Sequence, residues 1–173
     1  MKPIAAALLA LLIAGPALAR DAAPAPTKPV GVNFFSGRWY EIARTENLRQ
    51  RGCEATTYEF GAPKGEVRPF VLTCRKGSPA GKAESMAVSV RVPSDPLRNR
   101  FRVSAMGGAL KQEYWVLDRA DDLSWAIMGT PGGNYVWLLS RSPRMDAGLK
   151  TQLMNRIRSM GYDLGKIVQP RHG

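Results

Sequence analysis

Apolar and polar positions alternate along most of this chain with a period of two. The alternation is cleanest in Met86-Ala87-Val88-Ser89-Val90-Arg91-Val92 and in Phe101-Arg102-Val103-Ser104-Ala105. Successive strand side chains point to opposite faces, so each segment offers one apolar face and one polar or small one. The pattern predicts eight strands: Trp39–Thr45, Ala55–Phe60, Val67–Cys74, Glu84–Val92, Arg100–Met106, Glu113–Leu117, Trp125–Gly129 and Tyr135–Ser140. Turn-forming clusters separate them, among them Gly61-Ala62-Pro63-Lys64-Gly65, Pro93-Ser94-Asp95-Pro96 and Thr130-Pro131-Gly132-Gly133-Asn134. Short strands at regular spacing predict a barrel or a sandwich.

The period changes once. Leu149, Leu153, Ile157 and Met160 recur at helical spacing, with Asp146 placed to cap the start and Gly161 to end it. This apolar stripe is expected to pack on the outside of the sheet. A last short strand, Tyr162–Val168, is expected to follow. No internal repeat or second domain is visible.

The first residues read as a leader rather than as part of the fold. Met1-Lys2 is a positive start, Ile4 to Ala14 is apolar, and Ala17-Leu18-Ala19 resembles a cleavage site. The expected division is a signal peptide over 1–19, a disordered Ala/Pro-rich linker over 20–32, one folded domain over 33–169 and a tail over 170–173. The domain, of about 140 residues, is long enough for a sizeable core. No cysteine lies near the expected cleavage site, so the leader is not expected to end in a lipid-modified cysteine. The product would be a soluble periplasmic or secreted protein.

Charge sharpens that picture. The formal net charge is +11, or +10 once Lys2 is lost with the leader. Such a balance attracts polyanions, and for an exported protein these are anionic lipid headgroups and lipopolysaccharide. The basic residues are scattered over strands and turns without a nucleic-acid-binding motif, so nucleic acid is not expected as a partner. The two cysteines, Cys53 and Cys74, form an even count in an oxidising compartment, which predicts a disulfide.

Three segments carry a resemblance. Gly37-Arg38-Trp39-Tyr40-Glu41-Ile42-Ala43-Arg44 resembles the opening motif of the lipocalins, above all the bacterial outer-membrane branch and its plant and animal relatives. Asp121-Asp122-Leu123-Ser124-Trp125-Ala126-Ile127-Met128-Gly129 resembles the second motif, with Leu123 where an aromatic residue is common. Tyr135-Val136-Trp137-Leu138-Leu139-Ser140-Arg141-Ser142-Pro143 resembles the third. The resemblance runs from Phe34 to Val168. It implies an all-β fold: an eight-stranded antiparallel up-and-down barrel, the lipocalin calyx, with one C-terminal helix outside and a short final strand. It also implies a small hydrophobic ligand. Gly37, Trp39 and Arg141 would then be structural, the guanidinium lying over the indole at the closed end of the barrel.

Parity points into the cavity. If Trp39 faces inward, so do Glu41 and Ala43; if Arg141 does, so do Leu139, Trp137 and Tyr135. Met86, Val88, Val90, Phe101 and Val103 either line the cavity or belong to the apolar layer under the helix. The candidate ligand-binding residues are Ala43, Met86, Val88, Phe101, Val103, Tyr135, Trp137 and Leu139. Arg91 and Arg102 are candidates to meet an anionic headgroup. The lone histidine, His172, lies in the tail and is expected to be solvated; no catalytic set, metal-ligand spacing or cofactor motif appears. The function expected is carriage of a fatty acid or lysophospholipid at the bacterial envelope, without enzymatic activity, metal or cofactor. The alternative is a basic protein that binds anionic lipid or lipopolysaccharide at the envelope surface without a functional cavity.

Overall fold

The β-branched and aromatic residues that favour a pleated surface form nine strands among the described residues of the computed structural model, which are residues 22–173. The expected leader lies outside them. The strands are β1 Gly37–Thr45, β2 Cys53–Phe60, β3 Val67–Lys76, β4 Ala83–Arg91, β5 Arg100–Ala105, β6 Leu110–Arg119, β7 Trp125–Gly129, β8 Val136–Ser140 and β9 Ile167–Val168. Each of β1 to β7 pairs antiparallel with the next, and β1 pairs with both β2 and β8, which closes an eight-stranded barrel. Closure leaves no free edge in the barrel wall. β9 adds to the far end of β1, with Thr45 opposite Ile167.

Two elements differ most from their expected bounds, for local reasons, while the other strands shift by no more than two residues at either end. β6 is far longer than its apolar centre suggested, because a bulge between Val116 and Asp118 breaks the alternation while the ladder to β5 and β7 continues. β9 is only two residues long, because the Asp163 side chain accepts from the Gly165 N–H and winds Leu164–Lys166 into a 3-10 turn. The helix α1, Ala147–Ser159, starts where Asp146 accepts from the Leu149 N–H at 2.9 Å. Gly161, at φ 91, ends it in a conformation that suits glycine.

Two apolar layers result. Inside the barrel, Trp39, Phe70, Val88, Val90, Phe101, Val116 and Trp137 pack together with Phe34 and Phe35. Outside it, Ile42, Ile127, Val136 and Leu138 pack against Leu153 and Ile157 of α1. Cys53 and Cys74 are bonded, at an Sγ–Sγ distance of 2.05 Å, and staple the start of β2 to the end of β3.

The expected linker is not free where the structure describes it. The Ala23 N–H donates to Pro131 O at 2.8 Å, and the Val30 N–H donates to Leu97 O at 2.7 Å. Lys28 reaches the buried Asp118 at 2.9 Å, and Arg156 of α1 reaches the same carboxylate from the other side. The segment 22–32 is thus a strap along the barrel wall, held because its backbone amides and carbonyls find fixed partners. The tail is also held. His172 Nε2 lies 2.8 Å from Glu41 O with its ring edge-on to Tyr40, and the Arg171 N–H donates to Glu54 O at 2.7 Å.

Candidate functional site: a one-ended cavity in the barrel

One end of the barrel is sealed. A 3-10 turn at Val32–Phe35 tucks Phe34 and Phe35 under the strands, and the Trp39 indole N–H donates to Phe34 O at 3.0 Å. The Arg141 guanidinium lies 3.7 Å from the centre of the Trp39 ring. The same group donates to the carbonyls of Asn33 at 3.0 Å, Ser36 at 2.6 Å and Arg38 at 3.1 Å. Gly37 has φ +60, and a Cβ there would lie 3.6 Å from Arg141 Nη1; backbone strain, more than lack of space, explains the glycine.

Above this floor is a cavity of about 400 Å³. Its walls are mainly apolar and aromatic, including Trp39, Phe70, Phe101, Tyr114 and Trp137. Seven of the eight sequence candidates face it: Met86, Val88, Phe101, Val103, Tyr135, Trp137 and Leu139. Met86 and Tyr135 are exposed at the rim. Val90 is buried in the inner layer but does not line the cavity.

Ala43 is the exception. It packs in the outer layer with Leu138 and Ile157. A bulge in the β1–β8 ladder sets Glu41 opposite Leu139 but Ala43 opposite Leu138. Parity slips by one residue there, so Arg44, opposite Trp137, is the side chain that turns inward with Glu41. Arg91 and Arg102 are not at the mouth either. Both are exposed on the outer face, and Arg91 pairs with Glu66 at 2.8 Å. They alternate with inward-facing Val90, Phe101 and Val103, and so must point out.

Arg49 takes the place expected of them. It lies in the 3-10 turn Leu48–Gln50, between β1 and β2, and among the described residues it is the one charged residue lining the cavity. The turn forms because the Asn47 side chain accepts from the Gln50 N–H at 3.0 Å. In an up-and-down barrel whose first strand starts at the closed end, the first loop must lie at the open end. That rule would have found Arg49.

A polar layer sits in the wall beside the cavity. The fully buried Glu41 carboxylate accepts from Arg44 Nη1 at 2.7 Å, from Gln50 Nε2 at 2.7 Å and from the Tyr58 hydroxyl at 2.5 Å. Arg44 also donates to the carbonyls of Gln50 and Cys53, and the Trp137 indole N–H donates to Gln50 Oε1 at 3.2 Å. Burial first, and then the Glu41 charge, push the Tyr58 phenol well above its ordinary range. Burial raises Tyr114 as well, against the pull of Arg49. Apart from the buried Arg44 Nε, which has no hydrogen-bond partner among the described residues, the Glu41 layer is satisfied internally; Gln50, Tyr58 and Tyr114 also line the cavity, beside Arg49 and the apolar walls. Among the described residues, no group of His, Cys, Asp and Glu is placed to hold a metal ion.

Known proteins match this arrangement over nearly the whole chain. A sequence profile described as a lipocalin-like domain matches residues 30–172. The outer membrane lipoprotein Blc of Vibrio cholerae is 29% identical over 153 residues, covering 84% of this chain and 86% of that protein. Temperature-induced lipocalin-1 of Arabidopsis thaliana is 31% identical over 147 residues, covering 81% and 78%. Among solved structures, insecticyanin from the tobacco hornworm Manduca sexta superposes with a TM-score of 0.68 at 18% identity, covering 87% of this chain and 86% of that one.

Proposed function

The chain belongs to the lipocalin-like family, in which binding of small hydrophobic ligands is the general role, and from that premise we propose that it is a carrier rather than an enzyme and holds a fatty acid or lysophospholipid at the bacterial envelope. The observation that carries the reading is a cavity of about 400 Å³ with mainly apolar walls and, among the described residues, a single charged lining residue, Arg49, in the turn at its mouth. That volume falls in the range of small-molecule sites. An acyl chain inserted tail-first buries its methylenes against Phe70, Val88 and Phe101, at roughly 0.8 kcal/mol per CH₂. Its carboxylate or phosphate stays at the mouth, within reach of the Arg49 guanidinium. Relatives named as outer membrane lipoproteins support a place at the envelope. Among the described residues no helix is long and apolar enough to cross a membrane.

The test is calorimetric titration with oleate and with oleyl alcohol. Saturable oleate binding is expected, with quenching of indole fluorescence that is blunted in Trp137→Phe. Arg49→Gln should weaken oleate on the order of tenfold, the size of one charge-assisted contact, and leave oleyl alcohol unchanged. Val103→Phe should fill the cavity and weaken both. If no acyl chain binds saturably, the carrier reading fails, and binding to the envelope surface through charge alone replaces it.

A further inference from the structure

The rim around the cavity carries two strongly exposed apolar tips, of which Leu48 also lines the cavity mouth and Met106 does not. Leu48 is 78% exposed and Met106 73% exposed, whereas every other exposed large apolar residue among those described is 48% exposed or less. Both sit at the open end. Leu48 is in the β1–β2 turn, and Met106 is at the tip of the β5–β6 turn Met106–Gly108. Met106 also has φ 51, in the left-handed region that an apolar L-residue rarely adopts. Glycines follow at 107 and 108, so the turn does not lack residues suited to that backbone. A strained backbone that holds an apolar side chain out into water points to a use outside the chain.

The charges around these tips have one sign in excess. Arg49, Arg51, Arg75, Lys82 and Lys111 are exposed on the loops and strand ends of this rim, against Glu46 and Glu84. Glu84 lies 3.9 Å from Lys76, which offsets it further. The strap also begins here, since Ala23 is hydrogen-bonded to Pro131 in the β7–β8 loop. Isolated apolar tips ringed by Lys and Arg match a bilayer interface, where apolar side chains enter the acyl boundary and cations stay with anionic headgroups. A protein partner would be met by a broader apolar patch than two separated tips.

We propose that the open rim docks on an anionic lipid bilayer, with Leu48 and Met106 entering it and the surrounding Arg and Lys residues facing its headgroups. The mouth then opens onto the membrane, and an acyl chain passes between bilayer and cavity without crossing water. The docking rests on the carrier reading only for its purpose, and the two fail separately.

Flotation with vesicles of phosphatidylcholine, with and without phosphatidylglycerol, tests it. The wild type should bind the anionic vesicles and scarcely the neutral ones. Met106→Asn keeps a residue that tolerates positive φ and should weaken anionic-vesicle binding on the order of tenfold, the effect of withdrawing one apolar side chain. Leu48→Ser should do the same. Leu97→Ser, at the closed end, should not. Met106 does not line the cavity, so Met106→Asn should bind oleate as the wild type does. Anionic-vesicle binding that survives both rim substitutions overturns the proposal and leaves diffuse charge as its cause; absence of vesicle binding overturns it too. If docking depends on Met106 while oleate never binds, docking stands and the carrier reading falls.

Discussion

Arg44 and Arg141 both lie against the inside of the barrel wall, yet only Arg44 meets a carboxylate. Arg44 is 4% exposed and is held by Glu41, itself fully buried, together with two carbonyls. Arg141 is half-buried and is held by the Trp39 face and backbone carbonyls alone. Burial lowers its guanidinium from its ordinary value, and among the described residues no anion pairs with it to raise it again; it stays charged, as arginine does. The difference follows position. At the closed end, a turn exposes carbonyls that need donors, and water covers the remaining charge. In the wall beside the cavity Arg44 is buried away from solvent, so the cation is offset by an anion of its own. The floor is a plug that tolerates wear. The polar layer is a closed set, and each member depends on the others.

The largest test of that contrast is Arg44→Met. Removing the cation strands the Glu41 carboxylate in an apolar wall, which should cost about 3–5 kcal/mol. Chemical denaturation would measure it. The double variant Glu41→Gln with Arg44→Met should recover much of that loss, because the buried charge leaves with its partner. If the single variant unfolds at the wild-type denaturant concentration, the layer is not a closed set.

At the floor, the ring and the cation separate. Trp39→Ala removes a fully buried indole and should cost about 3–5 kcal/mol by cavity formation. Arg141→Ala should cost about 2 kcal/mol, from a cation–π contact and charged hydrogen bonds that water partly replaces. The gap between Arg141→Ala and Arg44→Met is the quantity that matters. Equal losses would mean that burial alone, not the missing anion, sets the stake of each arginine.

How far the sequence spoke for each region follows the same division. The floor was legible: Gly37, Trp39 and Arg141 lie in motifs, and strand parity carries no ambiguity at a strand end. The helix was legible because its cap and stop are single residues, Asp146 and Gly161. The polar layer was legible only at Glu41, which parity turned inward. Arg44 turns inward only because of a bulge between Glu41 and Ala43, and a bulge is a property of two strands in register, which one strand's pattern does not contain. The same slip sent Ala43 to the outer layer. Arg49 was hidden because loop residues follow no period; only the up-and-down connectivity puts the β1–β2 turn at the mouth. The strap was hidden because an Ala/Pro-rich composition reports weak internal preference, whereas Lys28 and the backbone of Ala23 and Val30 are fixed by distant parts of the barrel.

The smallest effect is confined to alkali and reports on the closed set from its edge. Tyr58 donates to Glu41, and burial with that negative charge raises its phenol well above the ordinary value. A raised folded value means that stability is unaffected below the unfolded value, about 10 for tyrosine. Above it, the unfolded chain loses the proton while the folded chain keeps it. Stability then falls with rising pH, by at most about 1.4 kcal/mol per unit, until the folded phenol also ionises. In Tyr58→Phe this contribution to the alkaline slope vanishes, although the Glu41 hydrogen bond goes with it and lowers stability at every pH. The ultraviolet absorbance of tyrosinate separates the two effects, since it counts phenols rather than stability. The folded wild type should hold back one more phenol in alkali than Tyr58→Phe does. If the two titrate with the same late fraction, Tyr58 is open to water, and the polar layer is a wet edge of the cavity rather than part of its wall.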